Sequence, residues 1–353
     1  MTEATGPPGL DVDGLSRWLG RSHPDLAGPG PLTASLIPGG RSNLTYRVDG
    51  AKTPLVLRRP PLGHVLSTAH DMRREHRIIT ALHGIIPVPR TIDLVDDTEA
   101  REVTGTDFFV MEHVAGTVMS GPEQNASWEP KGLGRLGIEL AEVLADLHAV
   151  DPAAVGLGDF GRPDGYLDRQ MRTWRRQYDA SRSRDLPALD ALQERLAASA
   201  PAGGTGTGIV HGDYRLDNVL IAGEPGAPRI AAVLDWEMAT LGDPLVDLGM
   251  LGMYWHIREL SGGEAAAGSI VAGAGYPDFE EVVDAYAARS GIAVPDLSWY
   301  RAFACYKLAV ILEGIHYRYT GGQTVGEGFD TIGTLVRPLA EEGLARAPAG
   351  KDT

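Results

Sequence analysis

The sequence has very little cysteine, because Cys305 is the single one among 353 residues. An intrachain disulfide and a cysteine-based metal site are therefore excluded. Long apolar runs are lacking as well, since none approaches the roughly 20 residues that span a bilayer. The first residues are rich in glycine and proline and contain no apolar segment typical of a secretory signal. We expect a cytoplasmic protein, and its 43% hydrophobic residues are typical of a soluble globular fold.

Positive charge is also scarce, because 32 lysines and arginines stand against 47 aspartates and glutamates, which gives a net charge of −15. Binding to a nucleic-acid backbone requires basic surfaces, and so does binding to an anionic membrane. We expect neither kind of partner. An acidic surface would attract a polycationic small molecule, and the sequence leaves both a monomer and a homodimer open.

The most informative segment reads H-x-D-x-x-x-x-N, with Asp213 five residues before Asn218. Two short apolar stretches joined by a turn rich in glycine and proline follow, and then Asp235. Closure of this hairpin is expected to bring Asp235 back towards Asn218. Phosphoryl transfer requires one carboxylate to orient or deprotonate the attacking hydroxyl, and an amide oxygen and a second carboxylate to hold Mg²⁺. We predict these roles for Asp213, Asn218 and Asp235, while His211 is expected to support the loop by hydrogen bonds.

The loop and hairpin resemble the catalytic-loop motif of the aminoglycoside phosphotransferase-like kinases, and the resemblance extends over most of the chain. It implies an α+β, two-lobed protein-kinase-like fold. ATP, or alternatively GTP, would bind between the lobes together with Mg²⁺. The expected parts are a small β-rich nucleotide-binding lobe (1–113), a larger mainly helical lobe with the catalytic loop and metal site (114–345), and a flexible tail (346–353).

The resemblance also implies roles for residues outside the motif. Asp243 and Asp247 would brace the catalytic loop, although helix capping by Asp243 is an equally suitable reading. Arg58 would contact the nucleotide phosphates in the place of the usual lysine, with Glu75 as its ion-pair partner. A solvated strand residue is the alternative for Arg58.

Two further segments resemble nucleotide-binding parts of that family. Ser42 and Asn43 follow a glycine pair in a turn that would cover the phosphates. Glu112 and Val114 lie in a strand end that resembles the hinge whose backbone binds adenine. Apolar residues at helical spacing predict the helices, at 12–19, 69–82, about 131–148, 166–178, 250–260, 279–290 and 299–320.

No activation segment of the protein-kinase type follows Asp235, which argues against a protein kinase. We expect the acceptor to be a small molecule with a hydroxyl group. The loop and a basic helix at 166–178 look most like the subgroup related to the kinase-like domain of certain acyl-CoA dehydrogenases, which implies a hydroxyacyl or related metabolite. Arg215, Trp236 and Glu237 are candidate substrate contacts. An aminoglycoside or macrolide antibiotic is the alternative acceptor. A catalytically silent nucleotide-binding pseudokinase is a further alternative, favoured only by the arginine at position 58.

Overall fold

The computed structural model describes residues 6–38, 43–62, 70–201, 206–265, 270–322 and 331–349. Ser42, and residue 69 at the start of the second predicted helix, lie outside the described residues. Contacts divide the chain into two compact units, Met1–Ala115 and Gly116–Thr353. In the described part of the chain, no helix is long and apolar enough to cross a membrane.

The first unit is built on one antiparallel sheet. Its elements are α1 (Val12–Ser22), β1 (Thr33–Leu36), β2 (Leu44–Asp49), β3 (Leu55–Arg59), α2 (Met72–Leu82), β4 (Thr91–Val95) and β5 (Phe108–Glu112). The strands follow the order β1-β2-β3-β5-β4, and every neighbouring pair is antiparallel. Trp18 of α1 packs edge-on against Phe108 of β5, with 5.8 Å between ring centroids. Both rings belong to a buried cluster that includes Tyr46 and Leu57.

The second helix of this unit begins later than residue 69. Asp71 caps it, because its carboxylate accepts a hydrogen bond of 3.0 Å from the Arg74 N–H, and the helix starts at Met72. The buried residues of α2 include Glu75, which places a carboxylate against the sheet.

The second unit is mainly helical. Its elements are β6 (Thr117–Val118), α3 (Pro122–Asn125), α4 (Pro130–His148), α5 (Tyr166–Ser181), α6 (Pro187–Ala198), β7 (Gly208–Val210), β8 (Val219–Glu224), β9 (Ala227–Val233), β10 (Thr240–Gly242), α7 (Leu245–His256), α8 (Phe279–Ser290), α9 (Ser298–Thr320) and α10 (Val336–Arg346). In the described part of this unit, the strands form two small antiparallel sheets, β6-β8-β9 and β10-β7. Helix α9 lies at the centre and packs against α5, α6, α7 and α10.

Two predicted boundaries differ in this unit. Helix α7 begins at Leu245 instead of residue 250, and its residues from Leu245 to Trp255 are all buried. A helix without a polar face shows no helical periodicity in its sequence, so its start could not be recognised from the pattern. Helix α10 runs to Arg346 and Ala347 is buried. The predicted flexible tail, 346–353, overlaps the last residue of this helix, and its residues 350–353 lie outside the described residues.

Candidate active site

The loop with Asp213 and Asn218 connects β7 to β8. A short 3-10 turn, Leu216–Asn218, ends this loop. The Asn218 Nδ2 donates to the Asp213 Oδ2 at 2.9 Å and to the Asp213 carbonyl oxygen at 2.8 Å. Asn218 is buried, whereas Asp213 is half-buried. The buried amide therefore fixes the orientation of a carboxylate that still reaches solvent.

The β8–β9 hairpin returns the chain to the same loop. Val219 pairs with Val233, and the Leu234 N–H donates to the Asn218 carbonyl oxygen at 2.8 Å. Asp235, the next residue, is thereby brought to the Asn218 end of the hairpin. Its backbone is left-handed, with φ 64° and ψ 63°. This conformation costs a residue other than glycine about 1–2 kcal/mol, and such strain concentrates at functional sites.

The side chains of Asn218 and Asp235 suit a magnesium ion. The Asn218 Nδ2 is occupied by Asp213, so its Oδ1 is the atom that could ligate a metal. Mg²⁺ prefers oxygen ligands and commonly takes only one or two from the protein, with water and phosphate oxygens completing its shell. No group of three or more His, Cys, Asp or Glu residues arranged for a metal occurs among the residues that the structure describes. A two-ligand magnesium site requires none.

His211 supports the loop through both ring nitrogens. Its Nε2 donates to the Leu234 carbonyl oxygen at 2.9 Å, and its Nδ1 accepts from the Asp213 N–H at 3.2 Å. These partners require the neutral ring with its proton on Nε2. The ring is fully buried, and its centroid lies 4.6 Å from that of Trp236. His211 therefore joins the loop to the hairpin and has no nitrogen left to accept a substrate proton.

Asp247, in the first turn of α7, binds the start of the loop. Its Oδ2 accepts from the His211 N–H at 2.6 Å, and its Oδ1 accepts from the Gly212 N–H at 2.8 Å. The His148 Nε2 lies 3.3 Å from Oδ2, and the Tyr286 hydroxyl lies 2.8 Å from the other nitrogen of that ring. Burial acts to raise the pKa of Asp247, but the His148 contact and the backbone donors outweigh it and lower the pKa. A buried negative charge is thus stabilised against two consecutive backbone N–H groups.

Asp243 precedes the same helix. Its Oδ1 accepts from the Leu245 N–H at 3.1 Å, and its Oδ2 accepts from the Tyr300 hydroxyl at 2.7 Å. These two bonds link the start of α7 to α9. Through these contacts Asp243 supports the start of α7, the helix whose Asp247 binds the loop.

Arg215 lies between two carboxylates of the loop. Its Nε is 3.2 Å from the Asp213 Oδ2 and 3.1 Å from the Asp217 Oδ1. Its guanidinium lies 4.9 Å above the Tyr254 ring and donates to the Tyr254 hydroxyl at 3.2 Å. Burial raises the pKa of Asp217 to about 6, and Arg215 opposes that shift. Arg215 therefore binds two carboxylates of the loop and the Tyr254 hydroxyl, and a contact with a substrate would form in addition to these bonds.

The other two candidate substrate contacts differ in exposure. Trp236 is 1% exposed, and its Nε1 donates to the Val233 carbonyl oxygen at 3.1 Å. The Trp236 ring is therefore part of the packing beneath the loop, and the substrate contact at Trp236 stays a prediction. Glu237 is exposed and stays a candidate.

In the first unit, Arg58 and Glu75 form a buried ion pair. The Arg58 Nε lies 2.9 Å from the Glu75 Oε1 and donates to Oε2 at 3.0 Å. The side chains are only 13% and 3% exposed. Arg58 also donates to the Thr45 Oγ1 at 3.2 Å. Arg59 points to the opposite face of the strand, where it donates to the carbonyl oxygen of Thr104 at 3.1 Å.

Of the other residues predicted to bind the nucleotide, the structure describes Asn43, Glu112 and Val114. Asn43 is buried and immediately precedes β2, and Ser42 before it lies outside the described residues. Glu112 ends β5, its carboxylate lies 2.6 Å from the Arg90 guanidinium, and its N–H donates to the Arg90 carbonyl oxygen at 2.9 Å. Val114 follows two residues later and is half-buried.

Sequence reasoning missed the contribution of Lys307. This residue of α9 is 4% exposed, its Nζ donates to the Gly212 carbonyl oxygen, and it lies 5.4 Å from the Trp174 ring centroid. The available signal was a single lysine in the apolar run of α9 around Cys305. Asp217 and Tyr254 were missed as well, although Asp217 lies inside the motif.

Several known proteins are similar to this chain in sequence and in fold. A model of the phosphotransferase enzyme family matches residues 33–303. Acyl-CoA dehydrogenase family member 11 of Gallus gallus is 34% identical over 95% of this chain, and the chain spans 43% of the length of that curated relative. A crystal structure from Ralstonia eutropha JMP134, described as a candidate aminoglycoside phosphotransferase, is 34% identical and covers 96% of this chain and 98% of its own, with a TM-score of 0.80.

A more distant structure extends the likeness in fold. The GDP complex of an aminoglycoside 2'-phosphotransferase-IIIa variant is 16% identical, covers 95% of this chain and 97% of its own, and has a TM-score of 0.63. The predicted α+β, protein-kinase-like fold is therefore confirmed, and so is the predicted family. By the match to most of its length, this chain belongs to the phosphotransferase enzyme family.

Proposed function

We propose that this protein is a nucleotide- and Mg²⁺-dependent phosphotransferase that phosphorylates a hydroxyl group of a small molecule. The observation that carries the proposal is the grouping of Asp213, Asn218 and Asp235. The Asp213 carboxylate is fixed by the Asn218 amide, and the β8–β9 hairpin returns the backbone at Leu234, next to Asp235, to the Asn218 carbonyl oxygen. This set of groups is what phosphoryl transfer requires of the protein.

Asp213 is the proposed catalytic residue. Its carboxylate accepts the proton of the acceptor hydroxyl or orients that hydroxyl towards the phosphorus. The Asn218 amide and the Arg215 guanidinium, both bound to its Oδ2, hold the carboxylate in one orientation. When bound by Asn218 Oδ1 and Asp235, Mg²⁺ supplies charge neutralisation on phosphate oxygens. The protein's own contribution is alignment and electrostatic preorganisation.

The nucleotide-binding role falls to residues of the first unit. Arg58 offers a planar fork of N–H donors suited to phosphate oxygens, and Glu75 fixes the direction of that fork. Ser42 and Asn43 cover the phosphates, and the backbone at Glu112 and Val114 binds the base. ATP is the proposed nucleotide and GTP the alternative. The GDP complex of a protein with the same fold supports a nucleotide, and it leaves the base open.

The proposed acceptor is a hydroxyacyl or related hydroxylated metabolite. Likeness to the acyl-CoA dehydrogenase family members supports an acyl compound. Arg172, Arg175 and Arg176 are exposed on α5, and these arginines favour an anionic substrate. An aminoglycoside or macrolide is the second candidate acceptor, favoured by the net charge of −15, which attracts polycations.

The test is the release of ADP from Mg·ATP in the presence of a panel of hydroxyacyl-CoAs, free hydroxy acids, aminoglycosides, macrolides and amino alcohols. Asp213→Ala should lower turnover by about 10²–10⁴-fold and leave nucleotide affinity nearly unchanged. Asp284→Ala, which removes an exposed carboxylate on α8, is the matched control and should retain full turnover. Near-normal turnover in Asp213→Ala would contradict the assigned role.

The same assay separates the enzyme from a silent nucleotide-binding module. Turnover with one class of acceptor, lost in Asp213→Ala, identifies both the activity and the substrate class. Calorimetrically detected Mg·ATP binding without turnover on any acceptor would support a pseudokinase, for which Arg58 in place of lysine is the motivating residue. Repeating the calorimetry with GTP decides between the two nucleotides.

A further inference from the structure

Gly212, the residue before the catalytic aspartate, is held on both sides of its peptide. Its N–H donates to the Asp247 Oδ1 at 2.8 Å, and its carbonyl oxygen accepts from the Lys307 Nζ. Its φ is +86°, and a Cβ at this position would lie 2.8 Å from the Met238 carbonyl oxygen. The carbonyl of Gly212 shares a rigid peptide plane with the N–H of Asp213. A donor fixed on that carbonyl therefore sets the direction in which Asp213 leaves the loop.

Packing alone does not explain a lysine at this position. Lys307 lies in the middle of α9 and is 4% exposed, and an amine removed from water is costly unless it is hydrogen-bonded or paired. The indole of Trp174, 5.4 Å away, compensates only part of that cost. Methionine would fill a similar volume without burying a charge. The Lys307 Nζ donates a hydrogen bond to the Gly212 carbonyl oxygen of the catalytic loop.

The electrostatics point to the same loop. Burial lowers the pKa of Lys307, and the carboxylates of Asp213 and Asp247 act in the opposite direction by favouring the ammonium form. Arg215 acts with burial and against the ammonium. The Lys307 amine therefore interacts electrostatically with Asp213, the proposed catalytic residue, and with Asp247, which binds the start of the loop.

We propose that Lys307 is a positioning residue for the proposed phosphoryl transfer: α9 uses its amine to fix the Gly212 carbonyl and, through that peptide, the Asp213 carboxylate. The inference rests on the proposed function, because it assigns Lys307 a part in the activity of Asp213. Lys307 touches neither nucleotide nor acceptor in this role. Its loss should change the rate of the chemical step and leave nucleotide binding unchanged.

The test compares Lys307→Met with Glu313→Gln in the full chain. Glu313 is a second buried charge of α9, and it binds Ser183 at 2.9 Å and Arg184 at 2.8 Å, away from the catalytic loop. Lys307→Met should lower kcat by about 10- to 100-fold, the range expected for a displaced catalytic group. The KM for the nucleotide should stay within about threefold, because ground-state binding is untouched. Glu313→Gln should keep the wild-type kcat.

A second readout does not require turnover. Amide hydrogen exchange at Gly212 and Asp213 should accelerate by at least about tenfold in Lys307→Met, because the loop opens more readily without its donor. The same amides should exchange at the wild-type rate in Glu313→Gln. Unchanged exchange and unchanged kcat in Lys307→Met would overturn the inference. Equal acceleration in both variants would also overturn it, since general loosening of α9 would then be the cause.

The two readouts distinguish failure of this inference from failure of the proposed function. If the wild-type protein turns over no acceptor, the proposed function fails, while the exchange data still decide whether Lys307 holds the loop. If exchange accelerates but kcat is unchanged, the loop contact exists and the positioning role is refuted. A fall in kcat confined to Lys307→Met, together with faster exchange, supports the full inference.

Discussion

Asp247→Asn should lower the free energy of unfolding of the second unit, because the Asp247 carboxylate accepts hydrogen bonds from two backbone N–H groups. Its Oδ2 accepts from the His211 N–H and lies next to His148, and its Oδ1 accepts from the Gly212 N–H. Asparagine has the same shape but only one oxygen. The favourable orientation keeps that oxygen at the Oδ2 position and turns the amide nitrogen towards the Gly212 N–H. Two donors then face each other in a buried site.

The magnitude follows from the bonds that change. Loss of a hydrogen bond to a charged acceptor costs about 1.5–3 kcal/mol, and the stranded buried N–H adds about 1–3 kcal/mol. Removal of a buried charge returns part of this cost. A net loss of about 3 kcal/mol in the free energy of unfolding is expected, which corresponds to a fall of about 6–12 °C in Tm for a unit of this size.

Calorimetry and urea unfolding measure this loss, with Asp284→Asn as an exposed control that should change stability by less than about 0.5 kcal/mol. The pH dependence gives a second check. The pKa of Asp247 is lowered in the folded protein, so its stabilisation is present above the unfolded pKa of about 3.9 and is lost as the pH falls through the folded value. The stability gap between wild type and Asp247→Asn should therefore be constant from pH 7 to pH 5 and narrow below about pH 4.

Two results would refute this reasoning. A loss smaller than about 1 kcal/mol would mean that the loop N–H groups find other acceptors. A gap that persists unchanged on acidification would mean that the charge of Asp247 contributes nothing beyond its shape.

Two further substitutions test the ion pairs of the two units. Glu75→Gln leaves Arg58 buried without its counter-charge, so stability should fall by about 3 kcal/mol and the KM for the nucleotide should rise. Asp96→Asn breaks an exposed ion pair with Arg73 and should change stability much less. An equal loss of stability in both variants, measured by urea unfolding, would contradict this. The pKa of Asp217 is raised to about 6 in the folded protein, above its unfolded value of about 3.9. Between these two pH values the folded state binds more protons than the unfolded state. Wild-type stability should therefore fall as the pH rises from about 4 to about 6. Asp217→Asn should lack this fall, and parallel Tm-against-pH curves for the two proteins would show that Asp217 titrates normally.

The groups that local sequence brings together could be predicted. Asp213 and Asn218 share one short loop, and an apolar hairpin returns the chain to Asp235. Spacing alone is informative there, because the intervening elements have few ways to fold. The resemblance to the kinase-like family supplied the pairing of Arg58 with Glu75, which the strand and helix patterns by themselves did not indicate.

The sequence and the family resemblance indicated His211 and Asp247 as supports of the loop, but the partners His148 and Lys307 could not be predicted, because they come from distant parts of the chain. His148 and Asp247 are separated by 99 residues, and Lys307 and Gly212 by 95. In the sequence, a buried polar residue of a helix is seen only as an interruption of an apolar face. The neighbouring residues do not indicate which distant group it binds. The burial of Trp236 could not be predicted either, because nothing in the local sequence indicates that its ring packs into the core.

The left-handed backbone of Asp235 sets the stability and the activity of variants at this position against each other. Glycine adopts that conformation without steric cost, so backbone energetics at this position favour a residue that cannot bind a cation. A library screened for folded abundance and the same library screened for phosphoryl transfer should rank Asp235→Gly at opposite ends. Position 235 would then mark where selection for activity acts against selection for stability.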